Sequence, residues 1–174
     1  LKYLGAGCLG REEEIAGWIS ENPDQMKITY ENHTQVMWLK GKDISSQIRS
    51  PEVTREVRFV SDCPACREVV NQKMRDLAEK YNVVIDGRDI GTKVFPQASY
   101  KFYLDGKPEI RVTRRAKEMN IPLQGEAFEQ LLKDLLDRDA SDMAREIAPL
   151  CQAEDAVLID TSDLTVDEVV ETIK

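Results

Sequence analysis

Helical spacing of apolar residues opens the chain. Leu1, Leu4 and Cys8 share one face of a segment that stops at Gly10, and Ile15, Trp18 and Ile19 share another over residues 12–20, closed by Asn22 and Pro23. The period then shortens to two. Ile28 and Tyr30 precede a polar tip of Glu31, Asn32 and His33, and Val36 to Leu39 follow it, which predicts a β-hairpin across residues 26–40. Gly41, Lys42 and Asp43 turn the chain, and a helix is expected near Pro51, Glu52 and Val53, with proline in the tolerated first turn. Residues 67–80 return to helical spacing and are expected to bury Val70, Met74 and Leu77.

Val83, Val84 and Ile85 are consecutive β-favouring apolar residues without polar alternation, which predicts a short strand buried on both faces. A second strand is expected over residues 101–104 and a last buried one over residues 156–160. Helices are expected over residues 108–119, around Leu131, Leu132, Leu135 and Leu136, and at the end, where Thr165 and Glu168 match a capping box ahead of Val166, Val169, Val170 and Ile173. Strands alternating with helices imply right-handed crossovers and a mainly parallel sheet. The hairpin reads as an antiparallel insertion into an α/β core.

A length of 174 residues suits one compact domain with a small insertion. The net charge of -8 and a pI near 4.8 argue against nucleic-acid and membrane-surface partners, since both are polyanions. No apolar run reaches membrane-spanning length, four cysteines do not form a disulfide scaffold, and the cytoplasm is the expected compartment. Cys63-Pro64-Ala65-Cys66 has the spacing of a thiol redox pair. It follows no strand, however, and zinc would need a second ligand pair. A helix start, with Ser61 or Asp62 as cap and Pro64 in the first turn, is the favoured reading. His33, alone at a hairpin tip, is read as a turn residue.

The densest chemistry follows the strand predicted at residues 83–85. Asp86, Arg88 and Asp89 fall just past its carboxyl end, where open α/β sheets bind ligands, and Gly87 and Gly91 permit close backbone approach. Arginines concentrate at Arg111, Arg114 and Arg115 and again at Arg138 and Arg145, as a small anionic ligand would require in an acidic chain. Arg138, Asp142 and Arg145 share roughly one helical face. That spacing fits a solvated ion-pair ladder as well as a ligand-binding face.

Asp86-Gly87-Arg88-Asp89-Ile90-Gly91-Thr92, followed by Val94-Phe95-Pro96, Ala98 and Lys101-Phe102-Tyr103-Leu104, closely resembles the signature of bacterial cytidylate kinases. The resemblance runs from about Val36 to the C-terminus. It implies a P-loop-kinase-like three-layer α/β fold with a mainly parallel sheet, an inserted small antiparallel-β monophosphate-binding subdomain and a helical lid. The implied division is a core at 1–24, 63–112 and 146–174, the insert at 25–62 and the lid region at 113–145. The implied activity moves the ATP γ-phosphoryl group to CMP or dCMP, with Mg2+ as cofactor.

Residue by residue, the resemblance assigns cytosine reading to Arg67 and Asp89, the acceptor phosphate to Arg88 and Arg145, and the sugar side to Arg138 and Asp142. Arg88, Arg138 and Arg145 are the implied catalytic arginines, Arg111, Arg114 and Arg115 the donor-facing lid arginines, and Asp86 a Walker-B-type carboxylate near the metal. A monomer is expected. Arg58 stands where the family has a small hydroxyl residue against the base, and Gln97 replaces a common acidic residue. No Gly-x-x-x-x-Gly-Lys-Ser/Thr occurs in the sequence. The family's phosphate loop and acceptor-side Tyr-Arg element correspond to positions upstream of Leu1, and the chain as written is expected to be inactive without them. The alternatives are an inactive nucleotide-binding module, a kinase for UMP, and a thiol redox protein using Cys63 and Cys66.

Overall fold

The computed structural model describes residues 10–32, 34–50, 53, 57 and 63–174. They fall into two compact units, Leu1–Asn82 and Val83–Lys174. The helices expected before Gly10 and near Pro51, the hairpin-tip His33, and Arg58, Ser61 and Asp62 lie outside the described residues.

In the first unit, helix α1 (Glu12–Glu21) carries three glutamates in its first turn, where they complement the helix dipole. It buries Ile15 and Ala16 against Cys66 of α2 (Pro64–Lys80), with Ile19, Cys63 and Val69 packed around them. The cap of α2 is Cys63, with Pro64 directly after it in the first turn as expected. The Cys66 thiol donates to the Glu12 carbonyl at 3.1 Å. Burial, reinforced by Cys63, pushes that thiol up to about 11. The expected inward face of α2 was misjudged: Val70 and Leu77 are exposed and Met74 is only half-buried. The seam instead follows Cys66 and Val69, since α1 is the helix packed against α2.

The hairpin forms as expected. Strands β1 (Met26–Glu31) and β2 (Thr34–Leu39) pair antiparallel from Met26↔Leu39 to Glu31↔Thr34, turning at Asn32 with φ of 49°. Lys40 and Gly41, at φ of 51° and 72°, form a two-residue turn with both angles positive, as the right-handed twist of paired strands favours. That turn starts a third strand, β3 (Lys42–Asp43), where only a turn was expected. The Trp38 indole N–H donates across the hairpin to Thr29 Oγ1 at 2.8 Å.

The second unit holds a parallel pair, β4 (Phe102–Asp105) and β5 (Val157–Asp160), in register from Phe102↔Val157 to Asp105↔Asp160. Helices α3 (Pro108–Glu118) and α4 (Glu126–Met143) fill the crossover, and α5 (Val166–Ile173) follows. Val112 and Ala116 are fully buried, while Leu131, Leu132 and Leu135 are half-buried and Leu136 is exposed. Two strand expectations need correction. Residues 83–85 form no strand: Val83 and Val84 are exposed, because an extended segment becomes a strand only when a neighbour pairs its backbone groups, and none of the described strands does. In β5 only Ile159 is buried, so the last strand is not the buried one expected. The architecture is thus mixed α/β, with one parallel and one antiparallel sheet.

The capping box of α5 is complete: Glu168 N–H donates to Thr165 Oγ1 at 3.3 Å, and Thr165 N–H to Glu168 Oε2 at 2.7 Å. Thr165→Ala is expected to cost about 1 kcal/mol, read as a lower urea midpoint with an unchanged slope. A thiol raised to about 11 is thiolate in only about one molecule per thousand at pH 8. Alkylation followed by peptide mapping should label exposed Cys151 well ahead of Cys66.

Candidate anion-binding site

The site begins at a tight turn at Gly87. A Cβ on Gly87 would lie 2.7 Å from Ile90 Cγ1, so a bare backbone there lets Ile90 fold back over the turn. Residues Ile90–Val94 then form a single π-helical turn. The Asp89 carbonyl accepts from the N–H groups of Thr92, Lys93 and Val94 at 3.3, 2.8 and 3.3 Å, which fixes the backbone on either side of the buried Asp89. Turns of this kind recur at functional sites. Downstream, Lys101 braces the segment through Pro96 O at 2.6 Å and both oxygens of Asp155. Its ammonium holds the Asp155 carboxyl below the usual carboxylate range.

Beside Asp89, the Arg88 side chain reaches across to α4. Its Nε donates to Asp142 Oδ2 at 2.8 Å. Asp142, 3% exposed near the carboxyl end of that helix, also meets Arg145 Nη2 at 2.7 Å through Oδ1 and lies 4.0 Å from Arg138 Nε. The face thus forms the ion pairs its spacing allows, and it is buried at its acidic centre rather than solvated. One carboxylate faces three guanidiniums, and it sits where a helix dipole already favours cations.

A cavity of about 420 Å³ opens alongside, lined by Arg88, Arg111, Arg114, Arg115 and Arg138, with Leu131 and Leu135 as its apolar wall. The cationic helix α3 leaves the carboxyl end of β4 at Pro108. Arg111 is tied to Asp139 of α4 through Nη1 at 2.5 Å and Nη2 at 3.1 Å, an end-on fork that pushes the guanidinium still further up. Arg114 donates to the carbonyls of Thr161 and Leu164 at 2.6 and 2.9 Å, clamping α3 to the turn after β5. Arg115 pairs with Glu118 at 3.0 Å. Five arginines against three lining carboxylates leave the cavity cationic in a chain of net charge -8.

The structure thus gathers Arg88, Asp89, Asp142, Arg138 and Arg145 with the three arginines of α3, all in the second unit. Arg67 lies half-buried on α2 of the first unit. Asp86 is exposed just before the Gly87 turn. No cluster of three metal-ligating side chains occurs among the described residues. A single carboxylate still suits magnesium, which keeps several waters and takes substrate phosphates as ligands. Asp139 and Glu118 had no signal of their own in the sequence: Asp139 is 28 residues from Arg111, and only the packing of α3 on α4 pairs them.

A parallel strand pair, the turn at Gly87, a guanidinium cluster on one buried carboxylate and a cationic cavity beside it form an arrangement suited to small anions. The cytidylate kinase family model matches residues 13–174, and the chain belongs to that family. It is 48% identical to the cytidylate kinase of Desulforamulus reducens over 139 residues, covering 80% of this chain and 63% of that protein. Identity to the Caldanaerobacter subterraneus cytidylate kinase is 43%, over 79% of this chain and 61% of that protein. The Neisseria meningitidis cytidylate kinase of serogroup C is 36% identical over 98% of this chain and 83% of its own length. The chain therefore spans a little over three fifths of the first two relatives.

Removing the Asp142 carboxylate would leave three guanidiniums facing one another. Asp142→Ala is expected to lower stability by about 2 kcal/mol, below the range for wholly buried pairs because Arg88 and Arg145 keep some solvent. Denaturant titration measures it, and added sulfate should recover part of the loss by occupying the cationic site.

Proposed function

We propose that the protein is a nucleoside monophosphate kinase that transfers the γ-phosphoryl group of ATP to CMP or dCMP, giving CDP or dCDP. The observation that carries this reading is the set of guanidiniums gathered on buried Asp142 and along the cationic cavity beside it. Transfer between two polyanions is chiefly a problem of aligning them and neutralising charge that develops in flight, and fixed arginines do both. Arg88 and Arg145 take the acceptor phosphate, and Arg138 and Asp142 the sugar side. Arg88, Arg138 and Arg145 stabilise the in-line transition state. Arg111, Arg114 and Arg115 face the donor nucleotide.

Cytosine presents an amino donor beside ring-nitrogen and carbonyl acceptors, so a carboxylate paired with a guanidinium distinguishes it from uracil. We assign those roles to Asp89, which is buried beside Arg88, and to Arg67. Magnesium, when bound, neutralises charge on the donor phosphates, and Asp86 is the residue of this chain that would orient it. We assign residues 1–24, 63–112 and 146–174 to a three-layer core, 25–62 to a monophosphate-binding insert and 113–145 to a lid whose closure excludes water. The same reading places the protein in the cytoplasm, acting as a monomer on nucleotides rather than on nucleic acid.

Coupled ADP-release assays on the protein as it occurs in its source organism, with CMP, dCMP, UMP and AMP, test the proposal. CMP and dCMP should give the highest kcat/KM, and a clear preference for UMP or AMP would overturn the roles given to Arg67 and Asp89. Arg145→Lys is expected to reduce kcat/KM by roughly 100-fold or more, since an ammonium cannot bind phosphate oxygens bidentately.

A further inference from the structure

Arg111 is the one α3 arginine held by a carboxylate of α4. Its fork with Asp139 joins residues 28 positions apart, and both side chains are partly buried at the cavity wall. The helix itself does not need this pair for anchorage. Val112 and Ala116 are already fully buried, and Arg114 clamps α3 to the carbonyls after β5. What the fork does fix is the plane of the guanidinium. Both Nη atoms each give one hydrogen to Asp139, so Nε–H and the outer Nη hydrogens stay available to another anion. A free arginine on a helix surface would sample many rotamers; this one is held at the cavity before any ligand arrives.

We propose that Asp139 is a positioning residue that orients Arg111 toward the phosphates of the donor nucleotide, an inference that rests on the kinase reading above. Asp139 makes no contact with the nucleotide in this scheme. It acts through Arg111 alone. Its carboxylate also offsets one of the five cavity charges, limiting the mutual repulsion of Arg111, Arg88 and Arg138 without removing a donor.

The test pairs initial-rate kinetics with direct binding of a fluorescent ATP analogue to the protein as it occurs. Asp139→Asn should raise the KM for ATP and weaken analogue binding by about tenfold while the KM for CMP stays within about twofold, the size expected for one misaligned charge-assisted contact. Asp139→Glu should restore most of the donor affinity. In an Arg111→Ala background, Asp139→Asn should add no further loss, because the two residues act as one unit. Equal losses for both nucleotides, or a full effect of Asp139→Asn without Arg111, would overturn the proposal. If the asparagine variant does not fold, the glutamate variant carries the same test: it should keep the donor affinity near wild type, and a selective loss for CMP would refute the role. Wild-type protein that moves no phosphate from ATP would overturn the kinase reading itself, whereas the analogue-binding arm judges Asp139 independently of turnover.

Discussion

The second unit is organised around a carboxylate that water barely reaches. Asp142 collects the guanidiniums of Arg88 and Arg145 at hydrogen-bond distance and draws Arg138 near, and those three residues come from the glycine turn, from the segment after α4 and from α4 itself. Three like charges brought this close would repel one another strongly in a partly dry site, so the arrangement exists only because an anion sits between them. The Leu150 N–H donates to the Asp142 carbonyl at 2.8 Å, which folds the chain beyond Arg145 back onto the same point. The adjoining cavity, with five arginines against three carboxylates, carries the net positive charge.

The elements around this centre supply it with fixed geometry rather than with further charge. Gly87 and the π turn set the direction in which Arg88 leaves the backbone and keep Asp89 buried beside it. Asp160 receives both the N–H and the hydroxyl of Ser162, which keeps its carboxyl low. Ser162 in turn accepts from Lys107 N–H at 2.9 Å, at the start of α3. Gly106 is buried under Thr161, whose Oγ1 would stand 3.0 Å from an added Cβ, so glycine eases the close passage of the chain after β4 against the chain after β5. These contacts carry no sequence signal of ligand binding, yet they decide where the arginines of α3 begin.

Much of the local structure was legible in the residues. Alternation at Ile28 and Tyr30 and the apolar run Val36 to Leu39 marked the hairpin, and Thr165 with Glu168 marked the start of the last helix, because hydrogen bonds between near neighbours follow from residue type and spacing. The failures share a different cause. Val83 and Val84 look like a buried strand, and Val70 and Leu77 like a buried helical face, yet all four are exposed. Apolar character states what a side chain would gain by burial, while the presence of a neighbour to bury it is a property of the tertiary arrangement.

The same division runs through the site. Arg88, Asp89, Asp142 and Arg145 could be named from the chain alone, since the motif around Gly87 and the three- and four-residue spacing after Arg138 are written in consecutive residues. That Asp142 is the buried hub, that Arg114 serves the backbone after β5, and that Asp139 holds Arg111 were decided only in three dimensions. Each depends on charges that lie tens of residues apart, and Coulomb attraction and desolvation act on distance in space, which the order of residues does not contain.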